Sequence, residues 1–493
     1  MEYIIGIDIG TSATKTIAFS ISGRVLHQTR ASYAVISNKP GEQELNPDLL
    51  LKAAIKTIRE LILKSKKEPV GIAFSCAMHS LIAVDKNGKP LTNAITWADL
   101  RSRAYAKKLR FTEAGKRIYE RTGTPIHPMS PLCKLMWMKD NQPRIFSSAH
   151  KFISIKEYIW FHFFGKFLVD YSIASASGLF DIYLLKWNEE ALQAAGITAD
   201  RLSFPVPPTH IQTELNEKYK HVLGLPSGLS FIIGGNDGCL ANLGSHVISP
   251  GVMALTIGTS GALRMTSQKP QHDSKERIFN YVLKENLYVS GGAVNNGGNA
   301  VKWYVENFMP KKVAESKNFA TYIRKTSNIP AGSEGLIFLP YLLGERAPVW
   351  DADAKGVFFG VRMNHDSRHF LRSVMEGVGF SLYQIYQSLE QTVGPANKIY
   401  ASGGFIRSTR WLQMIADIFD KPVYVMNMAD ASATGAAIMG LYALGKIKNL
   451  EEVDVITQVH QSYRPDKKNH KVYLRNFSIF DVLYDKLRDE FDK

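Results

Sequence analysis

The chain has 493 residues, 45% of them hydrophobic and 11% aromatic, proportions that suit a globular protein with a sizeable core divided into two or three domains. Its net charge of +15 favours anionic small ligands, and without an arginine-rich tail, zinc-finger spacing or an aromatic–basic RNA motif it does not indicate nucleic acid. No apolar run is long enough to span a membrane, no basic-then-apolar leader opens the chain, and three widely spaced cysteines, Cys76, Cys133 and Cys239, exclude a disulfide framework or zinc site, so a reduced, cytoplasmic protein is expected.

The first element is an apolar strand running into Ile9-Gly10-Thr11-Ser12, followed by a second strand over Thr14 to Ser20. Ser22-Gly23 makes a turn, and Arg24 to Arg30 continues the sheet. Asn46-Pro47-Asp48 signals a helix start, with Asn46 as the cap and Pro47 at the first helical position. Leu49, Leu50, Ala53, Ala54, Ile58, Leu61 and Ile62 then recur at helical spacing. Val70 to Phe74 reads as a short buried strand, and Phe231 onward as another.

Half a chain length later the opening recurs. Ala254-Leu255-Thr256-Ile257-Gly258-Thr259-Ser260-Gly261 again ends an apolar strand in Ile-Gly-Thr-Ser, and a second strand follows over Ala262 to Thr266. Two similar lobes explain the echo, with a boundary between Gly244 and Gly251, where Ser249-Pro250-Gly251 interrupts the pattern. The expected division is 1–246 and 247–493. In the second half Ser367 is expected to cap a long helix reaching about Glu390. Lys398 to Ser402 reads as a strand leading into Gly403-Gly404, Trp411 to Phe419 as a helix, Val423 to Met426 as a strand, and Thr434 to Leu444 as a small-residue helix. The fold class is therefore α/β.

The chemistry lies at the ends of these strands. A Gly-Thr-Ser turn after a buried strand offers backbone N–H groups and two hydroxyls to phosphate oxygens. Gly10-Thr11-Ser12 and Gly258-Thr259-Ser260 form a matched pair of such loops, and Lys15 follows the first. Asp8 sits between Ile7 and Ile9, and a carboxylate there is costly unless it has a task such as positioning Mg2+ near phosphates. The alternative is a sheet-end Asp bonded to local backbone. Asp237 closes Phe231-Ile232-Ile233-Gly234-Gly235-Asn236; it suits a base that accepts an alcohol proton in phosphoryl transfer, or an Asx turn in a Gly-rich loop. Met78-His79 and Trp97-Ala98-Asp99 supply ring faces and hydrogen-bonding groups of the kind that contact sugars, although single His and Trp residues are more often core.

With these residues in view, the chain resembles the FGGY carbohydrate kinases over most of its length. Two extended patterns carry the resemblance: Met129-Ser130-Pro131-Leu132-Cys133-Lys134 through Asn141, and Gly356-Val357-Phe358-Phe359-Gly360-Val361 through His369-Phe370 to Glu376. The resemblance implies two ribonuclease-H-like, actin-like ATPase lobes around a cleft, with sugar mainly on the first lobe and ATP on the second. It implies Asp237 as catalytic base, with Asn236 beside it as a substrate-binding residue, and Asp8 as the acid associated with Mg2+, a role in which Asp237 also serves. Gly10, Thr11, Ser12, Lys15, Gly258 and Thr259 match the phosphate-loop positions, and Gly298, Lys302, Gly404 and Ser408 lie where the family contacts nucleotide. A homodimer is a common arrangement in such kinases.

For the substrate, Ala77-Met78-His79-Ser80 departs from the Arg-Glu pair of glycerol kinases. Met78-His79 and Trp97-Ala98-Asp99 are similar to the xylulose kinase pattern, which keeps a ketopentose open. Thr122 through Pro131, with Ile126-His127-Pro128-Met129-Ser130, resembles the gluconate kinase form of the first signature and makes D-gluconate the expected substrate, with Arg101, His127, Ser130 and Lys134 as candidates near its carboxylate. A non-catalytic, nucleotide-dependent binding protein of the same fold is the alternative of another class, but it has no need of a base at Asp237.

Overall fold

The computed structural model describes residues 2–65, 67–310, 328–426, 430–451 and 459–491. The first sheet is built from β1 (Tyr3–Ile9), β2 (Ala13–Ser20), β3 (Val25–Ser32), β4 (Ile72–Cys76), β5 (Ile211–Gln212) and β6 (Phe231–Asn236), in the spatial order β5-β6-β4-β1-β2-β3. β1, β2 and β3 pair antiparallel, while β1, β4 and β6 run parallel. β1 is buried along its whole length, which explains why it reads as a continuous apolar run rather than an alternating one.

Helix α1 (Pro47–Ser65) covers one face of this sheet. The Asn46 side chain accepts hydrogen bonds from the amides of Asp48 and Leu49, so the cap is as expected. Leu50, Ala53, Ala54, Ile58 and Leu61 are buried, whereas Leu49 is exposed and Ile62 only partly buried. Further along, α2 (Pro131–Asn141), α3 (Ile155–Phe164) and α4 (Asp237–Gly244) complete the first half. The strand expected over Val70 to Phe74 is displaced to Ile72–Cys76, because the Val70 amide bonds to the Tyr3 carbonyl before the ladder with β1 begins.

The second sheet repeats the plan. Its strands are β7 (Val252–Ile257), β8 (Gly261–Ser267), β9 (Phe279–Lys284), β10 (Leu287–Val294), β11 (Lys398–Ser402), β12 (Val423–Met426) and β13 (Val459–Tyr463), ordered β9-β10-β8-β7-β11-β12-β13. β10, β8 and β7 are antiparallel, and β7, β11 and β12 are parallel. Each sheet thus holds three antiparallel strands continued by two parallel ones, the ribonuclease-H-like order, and the echo of Ile-Gly-Thr-Ser falls at the same β-turn-β corner in both.

The helices of the second half are α5 (Gly298–Phe308), α6 (Ser367–Thr392), α7 (Thr409–Phe419), α8 (Ala431–Ala443) and α9 (Lys467–Phe491). The cap of α6 is Asp366, not Ser367 as expected: its carboxylate accepts from the amides of Arg368 and His369, and an ionised oxygen at that place also complements the helix dipole. Ser367 becomes the first helical residue. α8 begins three residues before the expected Thr434 because Asp430 caps it through the Ala433 amide.

α8 belongs to the second half of the sequence but packs on β1, β4 and β6 of the first sheet and crosses α4. The crossing is backbone on backbone. A Cβ at Gly435 would lie 1.9 Å from the Leu240 carbonyl oxygen, one at Gly244 2.0 Å from that of Ala431, and one at Gly6 2.1 Å from that of Ala433. The small-residue composition of α8 is therefore a requirement of close approach. No helix among the described residues is long and apolar enough to cross a membrane, and Cys76, Cys133 and Cys239 are free and buried.

Candidate active site between the two sheets

A cavity of about 290 Å3 opens between the sheets, walled by Met78, His79 and Trp97 from the first half, Asp237 at the start of α4, and Gly258 and Ser260 from the second Gly-Thr-Ser turn. Thr11 of the first turn reaches the same space. Its size and mixed polar and ring lining suit a small hydroxylated ligand.

Asp237 is the only carboxylate lining this cavity among the described residues. β6 delivers it: Asn236 ends the strand and caps α4, its Oδ1 accepting from Cys239 N at 2.7 Å and its Nδ2 donating to Ser172 O at 2.9 Å. Both ends of the Asn236 amide are thus engaged with protein, and the residue holds the corner that presents Asp237. Beneath it, the Lys156 ammonium donates to the carbonyls of Ile233 and Gly235, each at 2.9 Å, and pairs with Asp170 at 2.7 Å with both side chains buried. One Asp237 oxygen accepts from Gly238 N at 2.8 Å. Burial raises its pKa, against the pull of the Arg264 guanidinium and the Gly238 amide, and a raised carboxyl is a better proton acceptor from an alcohol.

Asp8, near the end of β1, is buried and accepts from Ser75 Oγ at 2.9 Å. Desolvation, then Asp430, then Asp237 push its pKa up to about 8. Lys15 meets Asp430 rather than an open phosphate site, with Nζ 2.6 Å from Oδ2. Asp430 was not singled out in the sequence; its signal is the N-cap position before a helix of small residues. Asp8, Asp237 and Asp430 therefore share a negative field, with Lys15 against it at Asp430 and Arg264 against it at Asp237. Among the described residues no cluster of three ligands could hold a metal by itself, but hard carboxylate oxygens beside phosphate loops are what Mg2+ uses when substrate phosphates and water complete its shell. The donor set fits that ion.

The two turns are built differently. In the first, Gly10 N bonds to Ala13 O at 3.1 Å and the Tyr33 hydroxyl donates to Gly10 O, so Thr11 and Ser12 stand at a braced corner. In the second, Gly258 N bonds to Ser260 O at 2.8 Å, and Gly258 O and Thr259 O accept from the amides of Gly298 and Gly297 at 2.7 and 3.1 Å. Gly298 thus ties the N-terminus of α5 to this turn. Gly403 approaches Ile257 O closely, and Gly404 follows with open space around it. Ser408 spends its hydroxyl on Trp411 N as the cap of α7, and Lys302 is an exposed residue of α5 within 3.7 Å of Glu306. The turns after β7 and β11 and the start of α5 share one edge of the second sheet, the strand C-terminal edge where open α/β sheets bind ligands.

On the cavity wall formed by the first half, His79 adopts a left-handed backbone (φ 67°), uncommon outside glycine. Its Nδ1 donates to Ala176 O at 2.6 Å, leaving Nε2 to accept from the Tyr281 hydroxyl at 3.3 Å. Burial and Lys134 lower its pKa to about 3, so the ring is neutral. Trp97 carries the Arg346 guanidinium over its face at 4.6 Å. Asp99 is buried behind this wall, accepting from Gln43 N at 2.9 Å and pairing with Arg101, which also reaches Glu44. The Lys134 ammonium is buried on the carbonyls of His79 and Met129, and Ser130 caps α2 through Cys133 N. The candidates near a substrate carboxylate are thus largely committed to the frame. His127 is the exception: Nδ1 accepts from Met129 N at 3.2 Å, the ring meets Trp350 edge-on, and buried Nε2 has no partner among the described residues.

Arg264, Tyr281 and Arg346 line the cavity and were not singled out in the sequence. They come from β8, β9 and the loop after Leu342, and only the pairing of the second sheet brings them opposite Met78 and His79.

Residues 3–244 match the model of the N-terminal domain of the FGGY family of carbohydrate kinases, and residues 253–444 that of its C-terminal domain. A gluconokinase of Bacillus licheniformis is 42% identical over 99% of this chain and 97% of its own length. The crystal structure of a gluconate kinase from Lactobacillus acidophilus superposes with a TM-score of 0.94 at 34% identity, covering 99% of this chain and 98% of that one. A ligand-bound xylulose kinase from the same organism gives 0.95 at 33% identity, covering 100% and 99%.

Proposed function

The chain belongs to the FGGY family of carbohydrate kinases, and on that premise we propose that it transfers the γ-phosphoryl group of ATP to D-gluconate, giving 6-phosphogluconate, in the cytoplasm. The observation that carries the phosphoryl-transfer half of this reading is the position of Asp237, the one carboxylate on the cavity wall among the described residues, between the Trp97–His79 face and the Gly258–Ser260 turn. The preference for gluconate is supported by the likeness to the Bacillus licheniformis gluconokinase.

The sugar chain lies against Trp97 and the neutral His79, with its reacting hydroxyl toward Asp237. Asp237 orients that hydroxyl and accepts its proton as the oxygen attacks phosphorus. The amides and hydroxyls of the two Gly-Thr-Ser turns bind the phosphate oxygens, so catalysis is mostly positioning and charge stabilisation. Asp8, with Asp237, would hold Mg2+, which when bound neutralises phosphate charge. Closure of the two halves excludes water from the cleft.

The test is ADP release from Mg-ATP with D-gluconate, D-xylulose, L-ribulose, glycerol or no sugar in parallel. Release that depends on gluconate supports the proposal. Release with a ketose and none with gluconate replaces the substrate by a ketose, the reading that Met78-His79 and the Lactobacillus acidophilus xylulose kinase favour, and keeps the role of Asp237.

A further inference from the structure

Arg264 is an unusual residue to find in this cavity. It lies on β8, in the second sheet, yet its side chain crosses to the first half. A Cβ built at Gly238 would be 3.5 Å from Arg264 Nε and 2.7 Å from Met78 Cε. Gly238, immediately after Asp237, thus lies in van der Waals reach of the guanidinium, and a side chain there would press on Met78 of the opposite wall. The guanidinium has Asp237, Cys239 and Tyr281 as electrostatic neighbours. No hydrogen bond holds the guanidinium among the described residues, and its Nε is buried without a partner. Arg264 as a whole is only partly buried, but a buried guanidinium nitrogen left unbonded is costly, and its planar fork matches a carboxylate.

Arg346 stands on the same wall but is already fixed. Its Nε donates to Asn295 Oδ1 at 2.8 Å and its Nη2 to Val294 O at 3.2 Å, over the Trp97 ring. The neighbouring Glu345, whose carboxyl accepts from the backbone amides of Asn295 and Arg346, is its nearest electrostatic partner. Among the described residues the cavity wall thus carries two guanidiniums and one carboxylate, Asp237, and of the two guanidiniums only that of Arg264 has no hydrogen bond to protein. The carboxylate of a sugar acid gives that fork a charged partner, where a neutral polyol offers only hydroxyls.

We propose that Arg264 binds the carboxylate of the sugar substrate, with Arg346 supplying the second positive charge, and that this pair selects an acidic sugar over neutral polyols and ketoses. The inference rests on the gluconate reading and names the residue that enforces it. Because Arg264 is carried by the second sheet and the base by the first half, the carboxylate joins the two halves of the protein across the cleft.

The test compares wild type with Arg264→Gln and Arg264→Lys on D-gluconate and on D-glucitol, which replaces the carboxylate by a hydroxymethyl group. In wild type gluconate should be the better substrate. In Arg264→Gln the preference in kcat/KM should fall about 100-fold, the loss appearing in the KM for gluconate while the KM for ATP moves less than about threefold, as expected for one lost charge-assisted fork. Arg264→Lys, which keeps the charge without the fork, should lie between the two. A fall in kcat or a rise in the KM for ATP with the gluconate KM unchanged overturns the proposal and assigns Arg264 to the phosphoryl group. So does Arg264→Lys behaving no better than Arg264→Gln. If wild type turns over D-xylulose but not gluconate, the gluconate reading itself fails, and that outcome is distinct because it is seen before any substitution is made.

Discussion

Replacing Gly435 by alanine tests whether the crossing of α4 and α8 sets the geometry of the active site. The added Cβ would lie 1.9 Å from the Leu240 carbonyl oxygen and 2.6 Å from its carbon. Both neighbours are backbone, so no side chain can swing aside. To reach an allowed contact the helices must part by about 1 Å, and overpacking of this kind costs roughly 1–3 kcal/mol. The consequence for activity should exceed that for stability. α4 begins at Asp237 and α8 is capped by Asp430, so a shift between these helices displaces Asp237, the proposed base, relative to the Asp8–Asp430 field. A misplacement of about 1 Å at reacting groups lowers turnover on the order of 100-fold. Gly440→Ala is the comparison on the same helix: its Cβ would meet the movable tip of Ile4 at 2.6 Å and the Cβ of Ala73 at 2.9 Å, contacts with the first sheet rather than with α4, so kcat should fall less than about tenfold. The assay is gluconate-dependent ADP release at saturating ATP together with a thermal melt of each variant. A Gly435→Ala enzyme with kcat within about threefold of wild type would refute the reasoning, because the close approach would then not position the site.

Asp237→Asn should lower kcat by roughly 10²–10⁴, the usual worth of a general base, while calorimetry shows gluconate binding retained; near-normal turnover would remove Asp237 from the reaction. Lys156→Met should destabilise the fold by about 3–5 kcal/mol, since it strands the buried Asp170 carboxylate and frees the carbonyls of Ile233 and Gly235 under the base, and a denaturation midpoint equal to wild type would contradict the pairing. Glu345 has its pKa raised to about 7, chiefly by burial. In the folded protein it therefore stays protonated where the unfolded chain is already ionised, so its contribution to stability falls as pH rises from the ordinary carboxyl range through about 7. Melting temperatures of wild type minus Glu345→Gln, measured from pH 4 to 8, should decline across that window; a flat difference would rule out the shift.

Much of this architecture could be read from the residue order. Strands buried on both faces announce themselves as apolar runs, and the two Ile-Gly-Thr-Ser corners announced a duplicated plan. Asn46 and Pro47 marked a helix start because capping is a local event, decided by a few consecutive residues. The same locality explains the error at Ser367. Two adjacent residues could each cap α6, and the choice fell to Asp366 because its carboxylate accepts from two amides at once.

The site was legible where function demands rare local chemistry: a carboxylate within an apolar strand at Asp8, a carboxylate after a Gly-rich strand end at Asp237, and glycine turns near both. Its remaining parts were decided in three dimensions. Asp430 meets Lys15 across 415 residues of chain, and no sequence period links them. Asp99, Ser130 and Lys134 carry the residue types that bind sugars, yet their polar atoms are taken up by Gln43, Cys133 and the carbonyls of His79 and Met129. Arg264 was not singled out in the sequence, and the pairing of β8 with β7 and β10 brings it to the cavity. The sequence by itself determined the elements and singled out the two buried acids, because those follow from backbone preference and the cost of burying charge. Which cations face the cavity was left to the tertiary structure, because a long side chain takes its partner from whatever the fold leaves unsatisfied nearby.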